Sequence, residues 1–148
     1  MGWKMLKQSF SMEKILDWRM SLEDQARLRL NELEGKWQFE NQNLQSYIRE
    51  NVKIKNANME TLHITTLQYN DYYKVLLDEK IVKQKNYLDK IQIDIKQAQG
   101  NLLKAHTDRK AMEKLKEKEL FRVTAEEQRL EQLALDEFAT MNYKRKAL

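Results

Sequence analysis

A seam of mostly apolar residues spaced three and four apart runs through much of this chain, and no proline interrupts it. The second half carries Tyr73, Leu77, Ile81, Leu88, Ile91, Ile95, Ala98, Leu102, Ala105, Met112, Val123, Leu130 and Leu133 in one register. Polar residues hold the intervening seam positions Gln84, Arg109, Lys116, Glu119 and Glu126. Side chains three and four apart share one face of a helix, so the stripe must bury against another helix. The seam therefore predicts an all-α fold, a long antiparallel two-helix coiled coil shaped as a helical hairpin rod with unequal arms.

Composition supports this expectation. Of 148 residues, 34% are charged and 41% apolar, with three glycines. A chain so poor in glycine and proline lacks the usual residues of tight turns and helix stops. Basic residues number 27 against 23 acidic ones, a formal +4 with both signs mixed along the chain. So small an excess gives no indication of nucleic-acid binding and suits the solvated faces of long helices. Cysteine is absent, which excludes disulfides, thiolate metal ligands and a cysteine nucleophile. Neither a secretory h-region near Met1–Phe10 nor an apolar run of about 20 residues is present, so a cytoplasmic protein is expected.

The first helix is expected from about residue 12 to about residue 54, with Ser11 as its N-cap. Ile15, Leu22, Ala26, Leu33, Trp37, Leu44, Tyr47 and Ile54 form its track, with Leu30 beside it. Asn51, Asn56 and Asn58, then Ile64, Thr65 and Thr66, weaken the pattern and predict a turn at about 55–65. A second helix, capped by Thr65 or Thr66, would then run from about 66 to about 143, some 110 Å against about 60 Å for the first. Pairing of 12–54 with roughly 66–106 would leave the C-terminal third projecting. Charges at its seam positions oppose a dry core unless they are paired. Three accounts suit that section: an exposed marginal helix, a surface for a large partner, or a seam over residues 109–126 satisfied by a second copy.

Chemistry is not expected. His63 and His106 have no acid at helical ligand spacing, since His106 and Asp108 are two apart, and both read as solvent-facing or loop residues. Gly2, Gly35 and Gly100 are too dispersed for a phosphate loop. A straight rod has no concavity in which to tune a carboxylate pair. The reading is a non-enzymatic protein without metal, cofactor or nucleic-acid partner. The aromatics offer a better lead. Tyr69, Tyr72 and Leu76 form an i, i+3, i+7 patch offset from the seam, with Tyr47 approaching from the first helix, which suits protein binding or local packing at the corner.

In its order of motifs the chain resembles the FliJ family of flagellar type III export proteins. Phe10, Leu16, Arg19, Glu23 and Ala26 resemble the family's opening pattern. Leu67-Gln68-Tyr69-Asn70-Asp71-Tyr72 with Leu76 resembles its second-helix signature, and Leu135-Asp136-Glu137-Phe138-Ala139 its C-terminal portion. The resemblance implies a central stalk of the export apparatus, related in design to the stalk of virulence injectisomes. Such a stalk couples a hexameric export ATPase to the membrane export gate, binds export chaperones and sits peripherally at the inner face of the cell membrane at the flagellar base. It implies a gate-binding patch of Leu44, Tyr47, Tyr69, Tyr72 and Leu76. It also implies an ATPase-facing end drawn from Phe10, Leu16, Arg19, Phe138, Lys144, Arg145 and Lys146. Glu40, Asn51, Glu79 and Lys83 depart from the family's residues around the gate patch. A cytoplasmic cargo or chaperone adaptor, an injectisome stalk protein and a structural coiled-coil homo-oligomer are the alternatives.

Overall fold

The computed structural model describes the backbone of residues 2–57 and 64–147 and the side chains of residues 12–56 and 64–146. It contains two α-helices, α1 (Gly2–Ala57) and α2 (Ile64–Ala147). The helices pack antiparallel, as the seam predicts. The expected turn at 55–65 falls largely on residues 58–63, outside the described residues. Ser11 lies within α1, which the helix-forming composition carries upstream of it, and Thr65 and Thr66 lie in the first described turn of α2.

Two compact units divide the contacts, one formed by Asp24–Leu103 and the other by Met1–Glu23 with Lys104–Leu148. In the first, Leu33 packs with Ile91, Ile95 and Ala98, flanked by Leu30 and Trp37. Leu44 packs with Leu77, Ile81 and Leu88, flanked by Trp37, Tyr47, Ile48 and Ile54. Ile91 is the most buried of these, at 2% exposure. At about 25 cal/mol per Å² of apolar surface removed from water, these side chains are the main source of cohesion. Polar bonds join the same helices: Gln84 Nε2 donates to the Glu40 carbonyl at 2.8 Å and to its carboxylate at 2.7 Å, and Asn51 Nδ2 donates to Asp78 at 2.9 Å.

In the second unit the seam is more polar. Leu16 is buried, whereas Ile15, the residue expected on the track, is exposed. The neighbour at 16 falls on the face towards α2, a displacement of about 100° that decides burial. Leu102, Ala105, Met112, Val123 and Leu130 are half-buried, while Leu133 is exposed. Every residue from 131 to 146 is exposed. The pairing of α1 with α2 nevertheless reaches beyond the expected limit near 106, because Glu13 meets Lys116 at 3.0 Å. Glu13, Arg19 and Glu23 all lie within the expected first helix, so the register of the pair, and not added length of α1, sets this reach.

Candidate functional surfaces

The aromatic patch sits early on α2, on the face turned from the seam. Tyr69 is 71% exposed, and Tyr72 and Leu76 are also exposed. Exposed Val75 and Val82 extend the patch, and with Asp78, Glu79 and Lys83 they line an open depression of about 400 Å³. Sequence reasoning passed over both valines, although Tyr72, Val75 and Val82 recur at helical spacing and could have marked a second stripe. Apolar and aromatic side chains gathered beside charges provide the usual anatomy of a protein contact.

Two of the five residues grouped with this patch stand differently. Leu44 is buried at 7% exposure within the core, packed with Leu77, Ile81 and Leu88, and presents no surface. Its place on the 3-4 track outweighed its place in the resemblance. Tyr47 is half-buried against the core, with the Lys80 ammonium 4.5 Å from its ring centre. Tyr73, expected in the seam, is 37% exposed and donates across the helix pair to Glu50 at 2.5 Å. That bond, and then partial burial, raise the Tyr73 hydroxyl above its ordinary pKa of 10.0, because a phenolate beside a carboxylate is disfavoured. Glu40 and Asn51 are both engaged across the helix pair.

A charge cluster joins α1 to α2 in the other unit. Glu23 of α1 is 3% exposed. One carboxylate oxygen lies 2.9 Å from His106 Nδ1, and the other accepts from Arg109 Nε. Arg109 also donates to Glu113 at 2.5 Å. Arg19 pairs with Asp108 at 3.0 Å, and its guanidinium carbon lies 4.9 Å from the centre of the Trp18 ring. The His106 bond and then the Arg109 guanidinium hold the Glu23 carboxyl below its ordinary value, while burial opposes them. Arg109 is shifted upward by its bonds to Glu23 and Glu113.

These contacts correct three expectations. His106 stands within α2 and is half-buried, because α1 brings an acid to it from another part of the chain. Arg109 and Lys116 are satisfied across the helix pair, and Glu119 and Glu126 by Arg122 and Arg129 along α2, so these charges need no second copy. Leu16 and Arg19, taken as surface residues of an ATPase-facing end, are buried and ion-paired respectively. Phe138, Lys144, Arg145 and Lys146 are exposed on the last turns of α2. The side chain of Phe10 and residue His63 lie outside the described residues.

Among the described residues no cluster of three or more His, Cys, Asp or Glu could hold a metal ion, and no helix is long and apolar enough to cross a membrane. Two sets of exposed side chains, Tyr69, Tyr72 and Leu76 early on α2 and Phe138, Lys144, Arg145 and Lys146 at its end, flank a polar lock in sequence. The family model described as "Flagellar FliJ protein" matches residues 8–148. No curated protein matches the chain. No solved structure matches it either.

Proposed function

The chain belongs to the flagellar FliJ protein family, and on that premise we propose that it is a non-enzymatic central-stalk component of the flagellar type III export apparatus. It couples the hexameric export ATPase to the membrane export gate and binds export chaperones. The family match across residues 8–148 carries this reading. The antiparallel two-helix fold supports it, since a paired helix resists bending and twisting better than a single one.

The gate contact is assigned to Tyr69, Tyr72 and Leu76, with Val75 and Val82 beside them. Large exposed rings on a rigid helix lose little conformational freedom on binding and bury much area. The ATPase contact is assigned to Phe138 and to Lys144, Arg145 and Lys146, with Phe10 contributing from α1. A basic last turn also complements the negative end of the α2 dipole, so these cations help the helix while facing outward. The protein works in the cytoplasm, held peripherally at the inner face of the cell membrane by its partners.

Purified protein is expected to stimulate assembly or hydrolysis of its cognate export ATPase, and Phe10→Ala or removal of residues 141–148 is expected to weaken the effect. Absence of both binding and stimulation with the authenticated ATPase would sink the stalk reading. Pull-down of export cargo and chaperones without ATPase or gate protein would instead assign a cytoplasmic adaptor.

A further inference from the structure

A face of α2 outside both surfaces carries an unneutralised row of lysines. Lys110, Lys114 and Lys118 follow one another four residues apart, and Lys104 precedes them. Steps of four residues keep side chains on one face, drifting by about 40° each time. All four lysines are exposed, whereas Arg109 and Lys116, which meet α1, lie on the other side of the helix, and His106, which also meets α1, borders the row one turn before Lys110. None of the four lysines pairs with a carboxylate among the described residues. The nearby acids Asp108, Glu113 and Glu119 are taken by Arg19, Arg109 and Arg122. Glu117 borders the row.

Large apolar side chains stand among these cations. Leu115 is exposed, and Phe121 is 78% exposed. An excess of cations flanking exposed Leu and Phe on one helical face is the pattern of an interfacial helix. Lysine is depleted at protein–protein interfaces, where arginine and aromatic residues dominate. Its compact charge on a flexible stem instead suits a diffuse anionic surface that needs no fixed geometry.

We infer that the outward face of α2 around Lys104, Lys110, Lys114, Lys118 and Phe121 docks on anionic phospholipid headgroups, with Leu115 and Phe121 entering the acyl boundary. This would hold the protein at a membrane independently of any protein partner. The charge sign, the absence of local neutralisation and the interleaved apolar side chains all favour that occupant.

The test is sedimentation of the full chain with vesicles of phosphatidylglycerol and phosphatidylcholine, against vesicles of phosphatidylcholine alone. Wild-type protein is expected to bind the anionic vesicles, to release as salt rises and to ignore the neutral ones. Each lysine near an anionic surface contributes about fivefold in partitioning, so the combined Lys110→Gln, Lys114→Gln and Lys118→Gln variant is expected to lose on the order of a hundredfold. Phe121→Ala is expected to lose binding while retaining the salt dependence. Replacing Lys144, Arg145 and Lys146 by Gln makes the same charge change elsewhere and is expected to cost less. No binding to anionic vesicles overturns the inference, as does equal binding to neutral ones. Equal losses from the two triple variants, or no loss in Phe121→Ala, also overturn it. Capture by soluble polyglutamate but not by anionic vesicles assigns the face to an acidic protein and overturns it as well. Helicity by circular dichroism checks the variants, and the salt series on the wild type is independent of them.

Discussion

Glu23 on α1 and His106 on α2 stand 2.9 Å apart, although 83 residues separate them in the chain. Their contact, shared with Arg109, places a carboxylate in the seam of the second unit with partners on both oxygens. His106 Nδ1 also lies 3.2 Å from Arg109 Nη2. A single ring nitrogen donates to the carboxylate or accepts from the guanidinium, and cannot do both at once.

Acid should loosen this unit. The Glu23 carboxyl titrates below its ordinary value of 4.5 in the folded protein. The unfolded chain therefore binds more protons between those two values, and the contribution of Glu23 is complete above about 4.5 and lost as pH falls through the folded value. Glu23→Gln is expected to lower the melting temperature at neutral pH and to flatten its decline below about 4.5. Thermal melts across that range check this, and parallel curves for wild type and variant would refute the assignment.

Two isoleucines two positions apart should respond in opposite ways. Ile91 is 2% exposed and Ile93 65% exposed. Ile91→Ala is expected to cost about 2–4 kcal/mol, the usual range for emptying a core site. Ile93→Ala should stay within about 0.5 kcal/mol. Urea denaturation followed by circular dichroism measures both.

Leu44 and the residues of the proposed gate contact should likewise separate stability from binding. Leu44→Ala removes a core side chain and is expected to destabilise by about 2–4 kcal/mol. Replacing Tyr69, Tyr72 and Leu76 together by Ala should leave cooperative melting nearly intact, because Leu77, Ile81 and Leu88 remain in place. That variant should lose export-gate binding by about 2 kcal/mol or more and impair export and motility. Loss of helicity in it would show that these residues are structural. Normal gate binding by a folded variant would remove the assignment.

Gly35 and Gly100 lie inside helices, neither has a positive φ, and a Cβ at either would meet nothing within 4 Å. Gly35→Ala and Gly100→Ala are each expected to stabilise by about 0.5–1 kcal/mol, mainly by restricting the unfolded chain. A fall in melting temperature for either would reveal a need for glycine that local packing does not supply.

Helical periodicity alone determined that the chain folds as two antiparallel helices, since Leu33, Leu44, Leu77, Ile81, Leu88, Ile91, Ile95 and Ala98 share the seam and form the core. It also set Tyr69 and Tyr72 apart from that core, because a residue off the stripe points away from the partner helix. Periodicity did not decide the fate of the polar seam. A charge such as Arg109 at a buried position is tolerable or ruinous according to what stands opposite, and that depends on register across the helix pair. The tertiary structure set the register, brought Glu23 to His106 and Arg109 and Glu13 to Lys116, buried Leu16 and tied Arg19 to Asp108. Local sequence spacing reports which face a side chain occupies, whereas only long-range pairing determines which partner it meets.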